Sequence, residues 1–250
     1  MRRMLFRRGW PPLVLLIAAA LACTARGAED ARAPLGPPSA TAPGTPVVTA
    51  SLPPQMVRMD IRASRLTIPA LGIDAPVQGS RVIPDTSTPP PGCPAPPEGQ
   101  TTLTVPNEGI ATPEESLDGL DNKAWIFGHS RWQNQPGVFG GLVDINVGDE
   151  LLVDGMDRRT GEQVSRRRFV VNGLYLTDID SGGKLVAAAT PADIPPKPVV
   201  ILQTSVREDG TGKGWLFDPQ TVMAKSRSLV EGDVNDPCKY LLLFVFAVPS

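Results

Sequence analysis

Proton transfer near neutral pH is histidine chemistry, and this chain has one histidine, His129. It follows strand and glycine in "WIFGHS" (Trp125 to Ser130), which places its ring at a strand end. A second segment, "VVILQTS" (Val199 to Ser205), carries a β-branched apolar run into Thr204 and Ser205, and polar loop residues follow at once. One strand end offers a base and the other a hydroxyl. A serine holds almost no alkoxide at neutral pH, so it needs an aligned base, preferably with a third group to orient that base. No G-x-S-x-G elbow is present and the sequence alone does not single out a third group to orient His129, so an ordinary serine hydrolase is the least favoured reading.

The elements that must hold these two ends are short strands. "SRLTIPALGIDAPVQ" (Ser64 to Gln78) reads as strand, turn, strand, with Pro69 and Gly72 as punctuation. Further strands are expected at Lys123–Ser130, Asp149–Gly155, Arg166–Thr177, Val199–Ser205 and Lys239–Val248, the last being the most apolar. Helical periodicity is confined to "FDPQTVMAKSRSLVEG" (Phe217 to Gly232). Six or more short strands predict an all-β fold, a closed or nearly closed β-barrel with short helical loops, over residues 57–250.

The rest of the chain reads differently. "MRRMLFRR" followed by the apolar "PPLVLLIAAALA" predicts a signal peptide over residues 1–28, with a retained membrane anchor or lipid attachment at Cys23 as alternatives. The apolar run is shorter than the roughly 20 residues that span a bilayer. Residues 29–56 form a Pro/Ala-rich linker without apolar periodicity. All three readings of the N-terminus put the protein outside the cytoplasm, secreted or associated with membrane or wall. A second proline-rich stretch, Ile83 to Gln100, interrupts the folded part as a loop.

Composition excludes other classes. The formal net charge of −2 argues against a basic nucleic-acid face, and aromatics at 5% argue against a stacking platform. No cofactor and no metal is expected: "DIDSGG" (Asp178 to Gly183) has two carboxylates but lacks the ligand count of a calcium loop. The three arginines of "SRRRF" (Ser165 to Phe169) read as a solvated strand edge. Cys93 and Cys238 are two free thiols in the simpler reading and a disulfide in the alternative one, open to an oxidising compartment.

In order and spacing, three segments resemble the sortases, extracytoplasmic cysteine transpeptidases, and among them the small actinobacterial-type (class E/F-like) members. Ile68, Pro69, Leu71, Ile73 and Val77 match the early-strand pattern of that family. Gly128 and His129, then Phe139, Leu142, Gly148 and Asp149, match its histidine strand. Leu202, Thr204 and Ser205 match the end of its nucleophile strand, except that the family has cysteine where this chain has Ser205. The resemblance covers about Arg62 to Ser205. It implies cleavage of a surface-protein sorting signal or other extracellular peptide, with an amine acceptor of the cell wall as the second partner.

The same resemblance assigns roles. His129 would protonate the leaving amine, Ser205 would stand where a thiolate attacks, and an arginine opening the last barrel strand would hold the oxyanion. Here Lys239 opens that strand, and lysine lacks the planar bidentate fork of arginine. Lys213, eight residues after Ser205, is the counterpart if the barrel ends at "KGWLFDPQ", and Arg207 is a third source of charge. Cys238, beside Lys239, is an alternative nucleophile. Impaired or altered catalysis is the expectation, and a non-enzymatic module that binds peptide or wall material is the alternative.

Overall fold

In the computed structural model, residues 60–250 are described, apart from 87, 90, 96, 97, 116, 118–122, 179–198 and 208–213. The expected leader and linker, the bulk of "DIDSGG" and Lys213 therefore lie outside the described residues. The strands are β1 (Ile61–Ile68), β2 (Ile73–Ser80), β3 (Val82–Pro84), β4 (Thr101–Leu103), β5 (Ile110–Pro113), β6 (Lys123–Gly128) and β7 (Arg131–Trp132). They continue as β8 (Gln135–Pro136), β9 (Glu150–Asp157), β10 (Gln163–Asp178), β11 (Val199–Ser205), β12 (Arg227–Ser228) and β13 (Leu241–Pro249), with one helix, α1 (Pro219–Lys225), among the described residues.

Eight of these strands close into a barrel, in the order β1, β2, β5, β6, β11, β13, β10, β9 and back to β1. Closure comes from β10, whose 16 residues reach past β13 on one edge and pair with β9 on the other. The expected all-β closed barrel is therefore the fold. β2 with β5 and β6 with β11 are the parallel pairs of the barrel, and its other neighbours are antiparallel.

Local sequence explains the first corner. Pro69 sets the short 3-10 turn Pro69–Leu71, and Gly72, at φ 66°, takes the left-handed conformation that a side chain would resist, its N–H donating to the Pro69 carbonyl. The chain reverses there and β1 pairs with β2. The expected helix is shorter than its periodic stretch: Asp218 caps its start by accepting from the Thr221 N–H at 2.8 Å, and β12 begins two residues after its end.

Two apolar clusters sandwich one side of the barrel. Val200 and Leu202 of β11 and Leu241, Leu243, Val245 and Ala247 of β13 fill the interior. Their neighbours Val199, Ile201, Leu242, Phe244 and Phe246 join Tyr175 in a second buried cluster on the outer face. Both faces being buried, these strands read as continuous apolar runs without alternation.

Candidate active site

The parallel pairing of β6 with β11 brings the two chemical ends together. Val199 lies opposite Lys123, and the register runs evenly to Gln203 opposite Phe127. Two more steps along the chains arrive at Ser205, which closes β11, and at His129, which follows the last residue of β6. Alternation along β11 puts Ser205 on the outer face with Val199 and Ile201, the face on which Trp125 of β6 also packs.

Side chains lock these ends. Thr204 Oγ1 donates to the Gly128 carbonyl at 3.0 Å, and Ser130 Oγ donates to the Ser205 carbonyl at 2.8 Å. Trp125 Nε1 donates to Gln203 Oε1 at 3.0 Å one row below. Ser205 itself is buried. Its hydroxyl donates to the Arg207 carbonyl at 2.8 Å and accepts from the Arg207 N–H at 3.3 Å. A hydroxyl has one proton, so in this arrangement the Ser205 proton is directed to the chain's own backbone.

His129 is half-buried, and its ring meets the Trp132 indole with centroids 4.8 Å apart and planes 33° apart. Trp132 is presented by the β7–β8 hairpin, which the sequence reading did not single out. Its signal was present in "RWQNQP", where Gln133 and Asn134 both take positive φ, 45° and 64°. Asn tolerates that region well, as a tight hairpin turn requires.

The candidate cations behave differently from one another. Arg207 is buried, forms an isolated bridge with Trp215, and lies with its guanidinium 5.4 Å over the Trp215 ring. Its Nη2 donates to the Val234 carbonyl. Burial pulls its pKa down, and Asp236 and Asp233 oppose that. Lys239 lies two residues before β13, because its N–H still closes a turn onto the Asp236 carbonyl. Its Nζ donates to the Glu231 carbonyl. Both cationic heads thus hold carbonyls of the loop that leads into β13.

Three expectations are corrected. Cys93 and Cys238 are not free thiols; they form a disulfide with Cα atoms 5.2 Å apart, because the proline-rich loop after β3 folds back to the start of β13. Cys238 therefore has no thiol to act as a nucleophile. The strand beside β11 is β13, so the alignment that ended the barrel at "KGWLFDPQ" and favoured Lys213 falls; Lys213 itself lies outside the described residues. Among the described residues no group of three His, Cys, Asp or Glu could hold a metal ion, and no helix is long and apolar enough to cross a membrane.

No family model and no curated protein matches the chain. Among solved structures it is similar to the pilus-related sortase C of Group B Streptococcus, at 12% identity and a TM-score of 0.40, over 76% of this chain and 67% of that one. It is also similar to sortase E1 from Streptomyces coelicolor with a tripeptide in the active site, at 10% identity and a TM-score of 0.41, over 76% of this chain and 89% of that one. The SrtA sortase from Actinomyces oris is similar at 15% identity and a TM-score of 0.37, over 81% of this chain and 87% of that one.

Proposed function

We propose that this chain is an exported sortase-type barrel in which Ser205 stands at the nucleophile position and acyl transfer is lost or strongly reduced. The observation that carries this reading is the hydrogen bonding of Ser205. Its proton goes to the Arg207 carbonyl, and a serine needs that proton removed by an aligned base before it can attack. A thiolate would need no such removal, because cysteine ionises near neutral pH. His129 on the neighbouring strand end is the proton donor of the proposed site, with Lys239 or Arg207 as its cation. A sorting signal or other extracellular peptide is the proposed ligand, and an amine of the cell wall the acceptor. The disulfide supports an oxidising compartment, in keeping with the leader expected over residues 1–28.

A second reading, a peptide- or wall-binding module without catalysis, is favoured by the two cations. Arg207 and Lys239 both donate to carbonyls of the 229–240 loop, so both charges are engaged in holding the chain's own backbone.

The test is Ser205→Cys, read with iodoacetamide and a library of quenched fluorescent peptides. The wild type should cleave nothing, and Ser205→Cys should label rapidly and gain cleavage. Adding His129→Ala should reduce that gain by about 10²- to 10⁴-fold, the usual loss on removing a positioned proton donor. Turnover by the wild type that Ser205→Ala abolishes would overturn the inactive reading. Peptide binding without cleavage by any variant would put the binding module first.

A further inference from the structure

The segment after His129 does more than return the chain. Ser130 is pinned to the Ser205 carbonyl, and three residues later the hairpin β7–β8 turns through two positive-φ residues that are not glycine. The two feet of the hairpin stand on His129 and Ser130. Trp132 lays its indole on the imidazole, and Gly137 N–H donates to the Ser130 carbonyl at 2.9 Å. A Cβ at Gly137 would sit 2.1 Å from the His129 carbonyl oxygen, so the position accepts no side chain without moving the His129 backbone.

We infer that Trp132 is a positioning residue for His129: its indole holds the imidazole at the strand end and favours the protonated ring. This rests on the reading of His129 as a proton donor given above. The ring contact limits the swing of the imidazole about its side-chain torsions. The electron-rich face of an indole also attracts a cation, so an imidazolium against it is held better than a neutral ring. A proton donor gains from both effects. Trp132 itself is half-buried, with part of its surface left to solvent at the same mouth.

The single histidine makes the test clean, because every imidazole signal in a spectrum of the full chain belongs to His129. In proton NMR the His129 ring protons should be displaced by the ring current of Trp132. Trp132→Ala should return them toward random-coil positions, and Trp132→Phe should keep a displacement. In the Ser205→Cys background, iodoacetamide labelling at neutral pH should fall about 2- to 5-fold with Trp132→Ala, the size of a partly exposed cation–π contact, and recover with Trp132→Phe. Circular dichroism on each variant separates a lost barrel from a lost contact. Ring protons that do not move in a folded Trp132→Ala protein overturn the proposal, as does equal labelling of the Ala and Phe variants where Ser205→Cys itself labels rapidly. If Ser205→Cys has no enhanced reactivity at all, the functional reading above fails, and the ring-proton displacement alone decides whether Trp132 holds His129.

Discussion

β11 and β13 bury both of their faces, whereas β1 and β2 bury one. On the first side an interior cluster and an outer cluster grip the same strands, with Phe244 and Phe246 outside and Leu243 and Val245 inside. On the second side the outer face carries exposed polar residues, and an ion pair between Arg65 and Asp74 lies in solvent. The difference teaches which strand ends the barrel holds most firmly. A strand gripped on both faces cannot slide or roll, so the residue at its end keeps its level relative to its neighbour. Ser205 ends such a strand.

The largest effect should come from loosening that grip. Phe246→Ala on the outer cluster should cost about 3–5 kcal/mol in urea unfolding, as for a core phenylalanine. Ser64→Ala on the exposed face of β1 should stay within about 0.5 kcal/mol. Similar losses at the two positions would erase the distinction between the sides.

Next is the disulfide that ties the proline-rich loop to the approach of β13. Replacing Cys93 and Cys238 together by serine should lower stability by about 2–4 kcal/mol, measured by urea unfolding against the oxidised wild type. A loss confined to local proteolytic sensitivity, with the unfolding midpoint unchanged, would mean that the doubly buried side holds without the tie.

A smaller effect sharpens the contrast at the strand ends. Thr204→Val keeps shape but leaves the Gly128 carbonyl without its buried donor, and should cost about 1–3 kcal/mol. Backbone amide exchange at Ser205 and His129 should quicken with it, while exchange in β1 should not.

Sequence patterns made the gripped side easier to read than the rest. β11 and β13 were legible because burial on both faces leaves unbroken apolar runs, and the β1–β2 corner because Pro69 and Gly72 leave few alternatives. β5 was not legible. Its four residues are buried by closure between β2 and β6, which no local pattern in "IATP" announces. β6 and β11 were legible as strands, but their parallel pairing, which no local pattern announces, was not. The hydrogen bonds of Ser205 to Arg207 could not be read, since they depend on how the backbone turns after β11. Nor could the disulfide be chosen over free thiols, because the position of Cys93 depends on a loop without periodicity.

The smallest effect belongs to the solvent side. The Arg65 hydrogen bond holds the Asp74 carboxyl below its usual 3.8, helped by Thr67. A depressed folded-state value means that this contribution is complete above the unfolded pKa and is lost as pH falls through the folded one. It should therefore vanish only in acid, below about pH 4. Carbon NMR of Asp74 should show the depressed titration, and Arg65→Ala should move it back up with little change in unfolding at pH 7.

The bridge between Cys93 and Cys238 encloses residues 94–237, and both His129 and Ser205 lie within that ring. A protease that cuts once anywhere inside the ring therefore releases nothing. The nicked chain keeps the mass of the intact one plus a water, and its two pieces part only when a reductant is added. Such cleavage would then be invisible on a non-reducing gel, and the two strand ends would stay on one covalent molecule after the chain between them had been severed.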